Sequence, residues 1–241
     1  MILAAFIVLL AAFVRSVSGF GYALIATPLL MLVLEAKSVV VINVLLASTT
    51  NILVLFHTRR YIDLKRVVLM SLGSIAGIPV GAWLLSTLNP LIIKLIIAVL
   101  IIPFSVLLLL GHSHWFKRDS LGCVIAGFMG GVLVTSTSLG GPPAVLFLLN
   151  QGLVKERFVG TLAAYFLFIG LMSVGAFSSL GLVTTDLLKK VAILLPTLLF
   201  GSYVGIKVLP RIEAALFRKV VLSIVSVAAL VIIVTVLLEL T

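Results

Sequence analysis

The chain has 241 residues, 63% of them hydrophobic and 10% charged, with a mean hydropathy of +1.41 and a formal net charge of +10. A soluble domain carries roughly 25% charged residues, so this composition excludes a water-soluble globular protein. The basic residues sit in short connections between apolar runs, which reads as a topology signal rather than a nucleic-acid surface; the single cysteine, Cys123, excludes a disulfide framework and a thiolate metal cluster.

Residues 1–35 read as a re-entrant hairpin. Apolar sequence runs to Arg15, the stretch Arg15-Ser16-Val17-Ser18-Gly19-Phe20-Gly21 interrupts it, and a second apolar stretch carries Pro28. No basic region precedes the first run, which argues against a cleaved signal peptide. Spans follow at 38–56, 67–86 and 90–110, each near the ~20 residues that cross ~30 Å of hydrocarbon. A second hairpin at 121–154 breaks at Thr135-Ser136-Thr137-Ser138-Leu139-Gly140-Gly141-Pro142-Pro143, and spans at 157–180, 187–208 and 217–239 complete the chain.

The halves resemble each other. Ser18-Gly19-Phe20-Gly21 matches Ser138-Leu139-Gly140-Gly141 at an offset of 120. Lys65-Arg66-Val67 matches Lys189-Lys190-Val191, Gly77 and Gly81 match Gly201 and Gly205, and Lys94 matches Arg218, all at an offset of 124. The chain therefore reads as two repeats, 1–116 and 117–241.

Charge orients them. If the segment around Gly140 crossed the membrane as one kinked helix, eight basic residues would face eight, with Arg15 left out. If it turns back and leaves where it entered, Arg59, Arg60, Lys65, Arg66, Lys117, Arg118, Lys155, Arg157, Lys207, Arg211, Arg218 and Lys219 share one side. Only Lys37, Lys94, Lys189 and Lys190 remain on the other, a positive-inside pattern. Length points the same way, since 122–134 and 143–154 hold about a dozen residues each, or roughly 20 Å of helix. The expected fold is an all-α polytopic membrane protein of two inverted repeats, each a re-entrant broken-helix hairpin plus three transmembrane helices. Symmetry alone puts the first hairpin and the N-terminus on the outer side.

Broken helices at matching positions of two halves point to a secondary transporter's binding site. Each break exposes the N-terminus of the following helix, where free N–H groups and the dipole favour an anion. Gly19, Gly21, Gly140 and Gly141 permit close backbone approach, and Pro142 suits the start of a helix. Ser16, Ser18, Thr135, Ser136, Thr137 and Ser138 add hydroxyls, which equally serve as caps or packing residues. Arg15 either binds the substrate or caps the carbonyls ending the first half-helix; at a shallow tip it snorkels. Asn43, Thr50 and Asn51 share a helical face that lines the cavity or glues helices together, and Tyr165 is a further cavity candidate. The Gly73, Gly77, Gly81 series and the Gly201, Gly205 pair read as close helix packing, and Pro79, Pro103 and Pro196 as kinks.

What is missing also informs. Glu35, Asp63, Asp119, Glu156, Asp186, Glu213 and Glu239 lie in loops or at span ends, as do His57, His112 and His114, so an acidic proton relay has little to build on. No phosphate-cradling GxxxxGK[ST] run, nucleophile triad or metal spacing occurs. An enzyme, a cofactor and a metal are therefore not expected.

At its two hairpins the chain resembles the TauE/SafE family of sulfite exporters and sulfonate permeases. The resemblance rests on Ser18-Gly19-Phe20-Gly21 followed by Ala26-Thr27-Pro28-Leu29, on Ser138-Leu139-Gly140-Gly141-Pro142-Pro143, and on the Gly77/Gly81 segment with its later echo. It implies transport of sulfite, organosulfonates or related anions across the bacterial inner membrane by a duplicated helical protein. Phe20 stands where the family commonly has glycine; with Tyr22 it narrows the pocket or stacks on an organic group. The expected function is a multi-pass secondary transporter of a small sulfur oxyanion or sulfonate, working by alternating access between the hairpin tips. Its expected partners are that anion and the bilayer, with no nucleic acid and with room for a homo-oligomer. An anion channel using the tips as its filter and a non-transporting membrane subunit are the alternatives.

Overall fold

Each long apolar run among the described residues becomes a helix whose ends fall at polar punctuation. The computed structural model describes residues 1–18, 21–110, 119–208 and 234. The described residues form α1 (Ile2–Ser18), α2 (Tyr22–Leu30), α3 (Ala36–Thr58), α4 (Leu64–Thr87), α5 (Pro90–Leu110), α6 (Asp119–Thr137), α7 (Gly141–Asn150), α8 (Lys155–Ser179) and α9 (Thr185–Val208), with a 3-10 turn at Arg59–Tyr61 and no strand. Apart from Val234, the span expected at 217–239 lies outside the described residues, as do Gly19 and Phe20 at the first tip.

The starts are capped by residues visible in the sequence. Asp63 Oδ1 accepts the Arg66 N–H at 3.2 Å to open α4, and Asn89 Oδ1 accepts the Leu91 N–H at 2.9 Å with Pro90 leading α5. Thr184 Oγ1 accepts the Leu187 N–H at 3.2 Å to open α9. Each satisfies an amide that a helix start leaves without an intrahelical partner. α8 ends in a left-handed glycine cap: Gly181 has φ 69°, its N–H reaches the Ser178 carbonyl at 3.1 Å, and the Leu182 N–H reaches Phe177 at 2.9 Å.

Five segments among the described residues are long and apolar enough to cross a membrane: Ala36–Tyr61, Leu64–Thr87, Ser120–Thr137, Glu156–Ser179 and Thr185–Gly205. The protein is therefore an all-helical polytopic membrane protein over its described length. One expectation needs correction. The limb leading into the second break is no dozen-residue stub, because α6 begins at Asp119 and runs for 19 residues, roughly 28 Å at 1.5 Å per residue. The limbs that leave the breaks are short, with 9 residues in α2 and 10 in α7.

The chain divides into two compact units that do not follow the halves of the sequence. The first comprises Met1–Asn43, Leu88–Gly111 and Thr184–Thr241; the second comprises Val44–Thr87 and His112–Val183. Within the first, α1 packs along α9 and against α2. Within the second, α4 packs along α6 and α8, and α7 packs on α6.

Glycine sets both of these long contacts. A Cβ at Gly77 would collide with the Phe128 carbonyl oxygen and stand 3.0 Å from the Val132 nitrogen; one at Gly81 would collide with the Val132 carbonyl and Thr135 Oγ1. In the first unit, a Cβ at Gly201 would collide with the Leu9 carbonyl, and one at Gly205 would lie 2.7 Å from the Phe13 oxygen and from Ser16 Cβ. Backbone thus meets backbone, as small residues permit between membrane helices. The opposite face of α4 carries the exposed side chains Leu72, Ile75, Val80 and Trp83, a surface suited to lipid rather than water.

Candidate functional site

The two breaks occupy equivalent places in the two units. Gly21 and Gly140, the residues before α2 and α7, are 119 positions apart. The same spacing separates the partners of the paired glycines: Leu9 from Phe128, Phe13 from Val132, and Ser16 from Thr135. The hairpins therefore register at 119, one less than the 120 read from the Ser-Gly strings, because the helical limbs and not the loop residues set the alignment.

At the first break, α1 carries Arg15 in its last turn, where a cation is favourable against the helix dipole. Arg15 is half-buried and its charge acts on the Tyr22 phenol, so both groups lie at the break. Ser16 Oγ donates to the Ala12 carbonyl at 3.0 Å. Ser18 ends α1, and the expected contributions of Gly19 and Phe20 fall outside the described residues. Gly21 adopts φ 92°, a left-handed conformation that glycine takes without a Cβ penalty; it turns the chain into α2.

Behind this tip lies a buried polar group on α3. Asn43 Nδ2 donates to Thr27 Oγ1 of α2 at 3.0 Å, with both residues essentially inaccessible. Among the described residues of this unit, two buried side-chain atoms have no hydrogen-bond partner: Tyr22 Oη and Asn43 Oδ1. A buried polar group left unmatched costs about 1–3 kcal/mol.

The second break is built differently. Gly140 is pressed against Val134 and the Gly130 carbonyl, so the chain past Thr137 turns back alongside α6. Ser138 sits at the turn with φ 60°, and its N–H reaches the Val134 carbonyl at 2.9 Å. Thr135 Oγ1 donates to the Gly131 carbonyl at 2.7 Å and lies 3.2 Å from the Ile78 carbonyl on α4. Ser136 Oγ donates to Val132 at 2.7 Å and Thr137 Oγ1 to Leu133 at 2.8 Å. These three hydroxyl protons are engaged by α6 itself, in the back-bonding that Ser and Thr adopt within helices. The sequence leaves them as ligand donors or as caps and packing residues; in the structure their protons point at helix carbonyls.

Around this tip, Gly141 faces open space, whereas Pro142 is buried at the start of α7. Tyr165 is fully buried and its hydroxyl donates to the Gly127 carbonyl at 3.2 Å, so it braces α8 against α6. Asn43 belongs to the first unit while Thr50 and Asn51 belong to the second. Thr50 Oγ1 donates to the Ala47 carbonyl at 2.8 Å, and Asn51 is buried.

Sequence reading passed over one polar cluster outside the spans. Asp63 bridges to the Arg66 guanidinium at 2.6 Å, its own N–H donates to Thr161 Oγ1 at 3.0 Å, and Arg66 reaches Gln151 Oε1 at 3.4 Å. Burial pushes the Asp63 carboxyl upward, but the Arg66 N–H and guanidinium and the charge of Arg157 outweigh it, leaving the group below its usual range. The spacing Asp63-x-x-Arg66 signals only an N-cap and a local ion pair; the partners at Gln151 and Thr161 are set by tertiary packing.

The described residues contain no group of three or more His, Cys, Asp or Glu side chains arranged to hold a metal ion. The model of the sulfite exporter TauE/SafE family matches residues 4–232. No curated protein and no solved structure matches the chain.

Proposed function

The chain belongs to the TauE/SafE family of sulfite exporters, a class of membrane transporters of sulfur compounds, and from that premise we propose a secondary transporter for a small sulfur oxyanion. The cargo is sulfite or an organosulfonate, bound at the helix breaks before α2 and α7 and carried by alternating access across the bacterial inner membrane. The observation that carries this reading is the matched pair of breaks. Each follows a long apolar helix, each opens a helix of 9 or 10 residues, and each preceding helix packs on a glycine-bearing helix in the same register. Each break thus opens a short-helix N-terminus, and a helix N-terminus favours an anion.

The repeats read from the sequence are supported by the equivalence of α4 on α6 with α9 on α1. Inverted topology itself rests on the distribution of basic residues. Arg15 supplies the positive charge that an anion site in this chain needs, and its place in the last turn of α1 puts it at the first break.

The test is ligand-dependent stabilisation of the purified protein, followed by uptake or efflux in proteoliposomes. Sulfite, sulfate, several organosulfonates and matched carboxylates form the panel. A ligand at 100 times its dissociation constant adds roughly 2.7 kcal/mol, and one sulfur anion is expected to do so selectively. Arg15→Ala is expected to weaken that binding by about tenfold or more while leaving the helical content unchanged, since hydrogen bonds to charged groups contribute about 1.5–3 kcal/mol. Stabilisation by none of the panel would refute the substrate class. Unchanged affinity in Arg15→Ala would remove that side chain from the site.

A further inference from the structure

The two breaks match in register but differ in the protons they offer. α2 opens with Tyr22, Ala23 and Leu24, each bearing an N–H, and the first ladder bond seen is that from Ile25 to the Gly21 carbonyl at 3.3 Å. The first amides of a helix have no carbonyl of their own helix to bond, so this end carries three outward donors. α7 opens with Gly141, Pro142 and Pro143; proline has no N–H, so the same three positions carry one. Side chains repeat the contrast. At the second break the hydroxyl protons of Thr135, Ser136 and Thr137 are engaged by α6 carbonyls. At the first, the Tyr22 hydroxyl is buried in a residue 3% exposed, has no partner, and lies under the charge of Arg15. The position equivalent to Arg15 at an offset of 119 is Val134, which is apolar.

We propose that the first break alone holds the charge of the transported anion, with the Tyr22 hydroxyl as the donor that selects it and the opening amides of α2 beside it. This rests on the transport reading above and narrows it. The ligand class is an oxyanion with at least two acceptor oxygens, one for the phenol and one for the amide cluster, which sulfite and sulfonates both satisfy. The second break contributes shape, through Gly141 and the two prolines, and little charge recognition. A helix N-terminus alone would be common to both breaks; the unmatched buried phenol separates them.

The experiment uses the full-length protein in detergent, with sulfite and methanesulfonate as probes. Affinity is measured by calorimetric titration, and the thermal midpoint is recorded without ligand. Tyr22→Phe is compared with Ser136→Ala and Gly141→Ala. Tyr22→Phe is expected to lose about tenfold or more in affinity, a larger loss than either second-break variant. Its ligand-free midpoint stays level or rises, because removing a hydroxyl without a partner breaks no bond. A wild-type protein that binds neither probe overturns the sulfur-oxyanion reading above and this one with it. Binding by the wild type with Tyr22→Phe unaffected overturns this inference alone, as does an equal or greater loss in either second-break variant. A Tyr22→Phe protein with a lowered ligand-free midpoint and unchanged affinity assigns the hydroxyl a structural role and also overturns it.

Discussion

Adding one methyl group at Gly77 tests the helix contact on which the second unit depends. The Cβ of alanine there would collide with the Phe128 carbonyl and stand 3.0 Å from the Val132 nitrogen and 3.1 Å from the Phe128 carbonyl carbon. All three are backbone atoms of α6, so no side chain can rotate away and the helices must separate. Overpacking of this kind costs typically 1–3 kcal/mol, and unyielding neighbours place it at the upper end. Alanine recovers about 1 kcal/mol of helix propensity relative to glycine. The expected net loss for Gly77→Ala is about 1–2 kcal/mol. Gly201→Ala meets the Leu9 backbone of α1 in the same way, so a similar loss is expected there. Gly175 of α8 has nothing within 4 Å of an added Cβ, so Gly175→Ala keeps the propensity gain and is expected to be as stable as the wild type or up to about 1 kcal/mol more so. Unfolding titrations in mixed micelles, followed by circular dichroism, measure all three. Equal stabilities, or gains at Gly77 and Gly201 like that at Gly175, would refute the close α4–α6 and α1–α9 contacts.

Other expectations follow from single bonds. Thr27→Val removes the acceptor of the buried Asn43 amide and is expected to cost about 1–3 kcal/mol, whereas adding Asn43→Leu should restore much of it by removing both polar partners; a double variant less stable than Thr27→Val would contradict this. The Asp63 carboxyl is held below its usual range, so its stabilising contribution is complete above the unfolded carboxyl pKa and disappears as pH falls through the lower folded value. Asp63→Asn should therefore lower the thermal midpoint at neutral pH and flatten its fall with acid; a midpoint curve parallel to that of the wild type would dismiss the linkage.

Membrane class, four of the five described spans and both breaks were legible because they depend on composition, run length and the positions of Gly and Pro; the fifth, Ser120–Thr137, was read as a limb too short to cross. The glycine series was read correctly as packing, yet which helix each would meet was not, since a stripe of small residues says only that something approaches closely. The hydroxyls of Thr135, Ser136 and Thr137 read equally as ligand donors or as packing residues for a related reason. A Ser or Thr at a break is identical in sequence whether its proton faces a cavity or the carbonyl one turn back, and the structure gives the second. Tyr165 looked like a cavity residue from its span, but Gly130 opposite its hydroxyl lets it seat against α6. The length of α6 was underestimated because the limb was read as 122–134, whereas the helix starts at Asp119 and carries on through Thr135, Ser136 and Thr137.

The first unit needs residues from both ends of the chain, since among the described helices α1 packs along α9. A ribosome adding roughly 5–20 residues per second needs about 10–40 s between releasing α1 and completing α9. The second unit draws on two segments, Val44–Thr87 and His112–Val183, and is complete by Val183. Membrane insertion therefore finishes the later-starting body first, while the face of α1 around Leu9 and Phe13 waits against lipid or an insertion factor. Truncation before α9 leaves a nascent chain with one finished body and one orphaned helical hairpin, a natural target for membrane quality control.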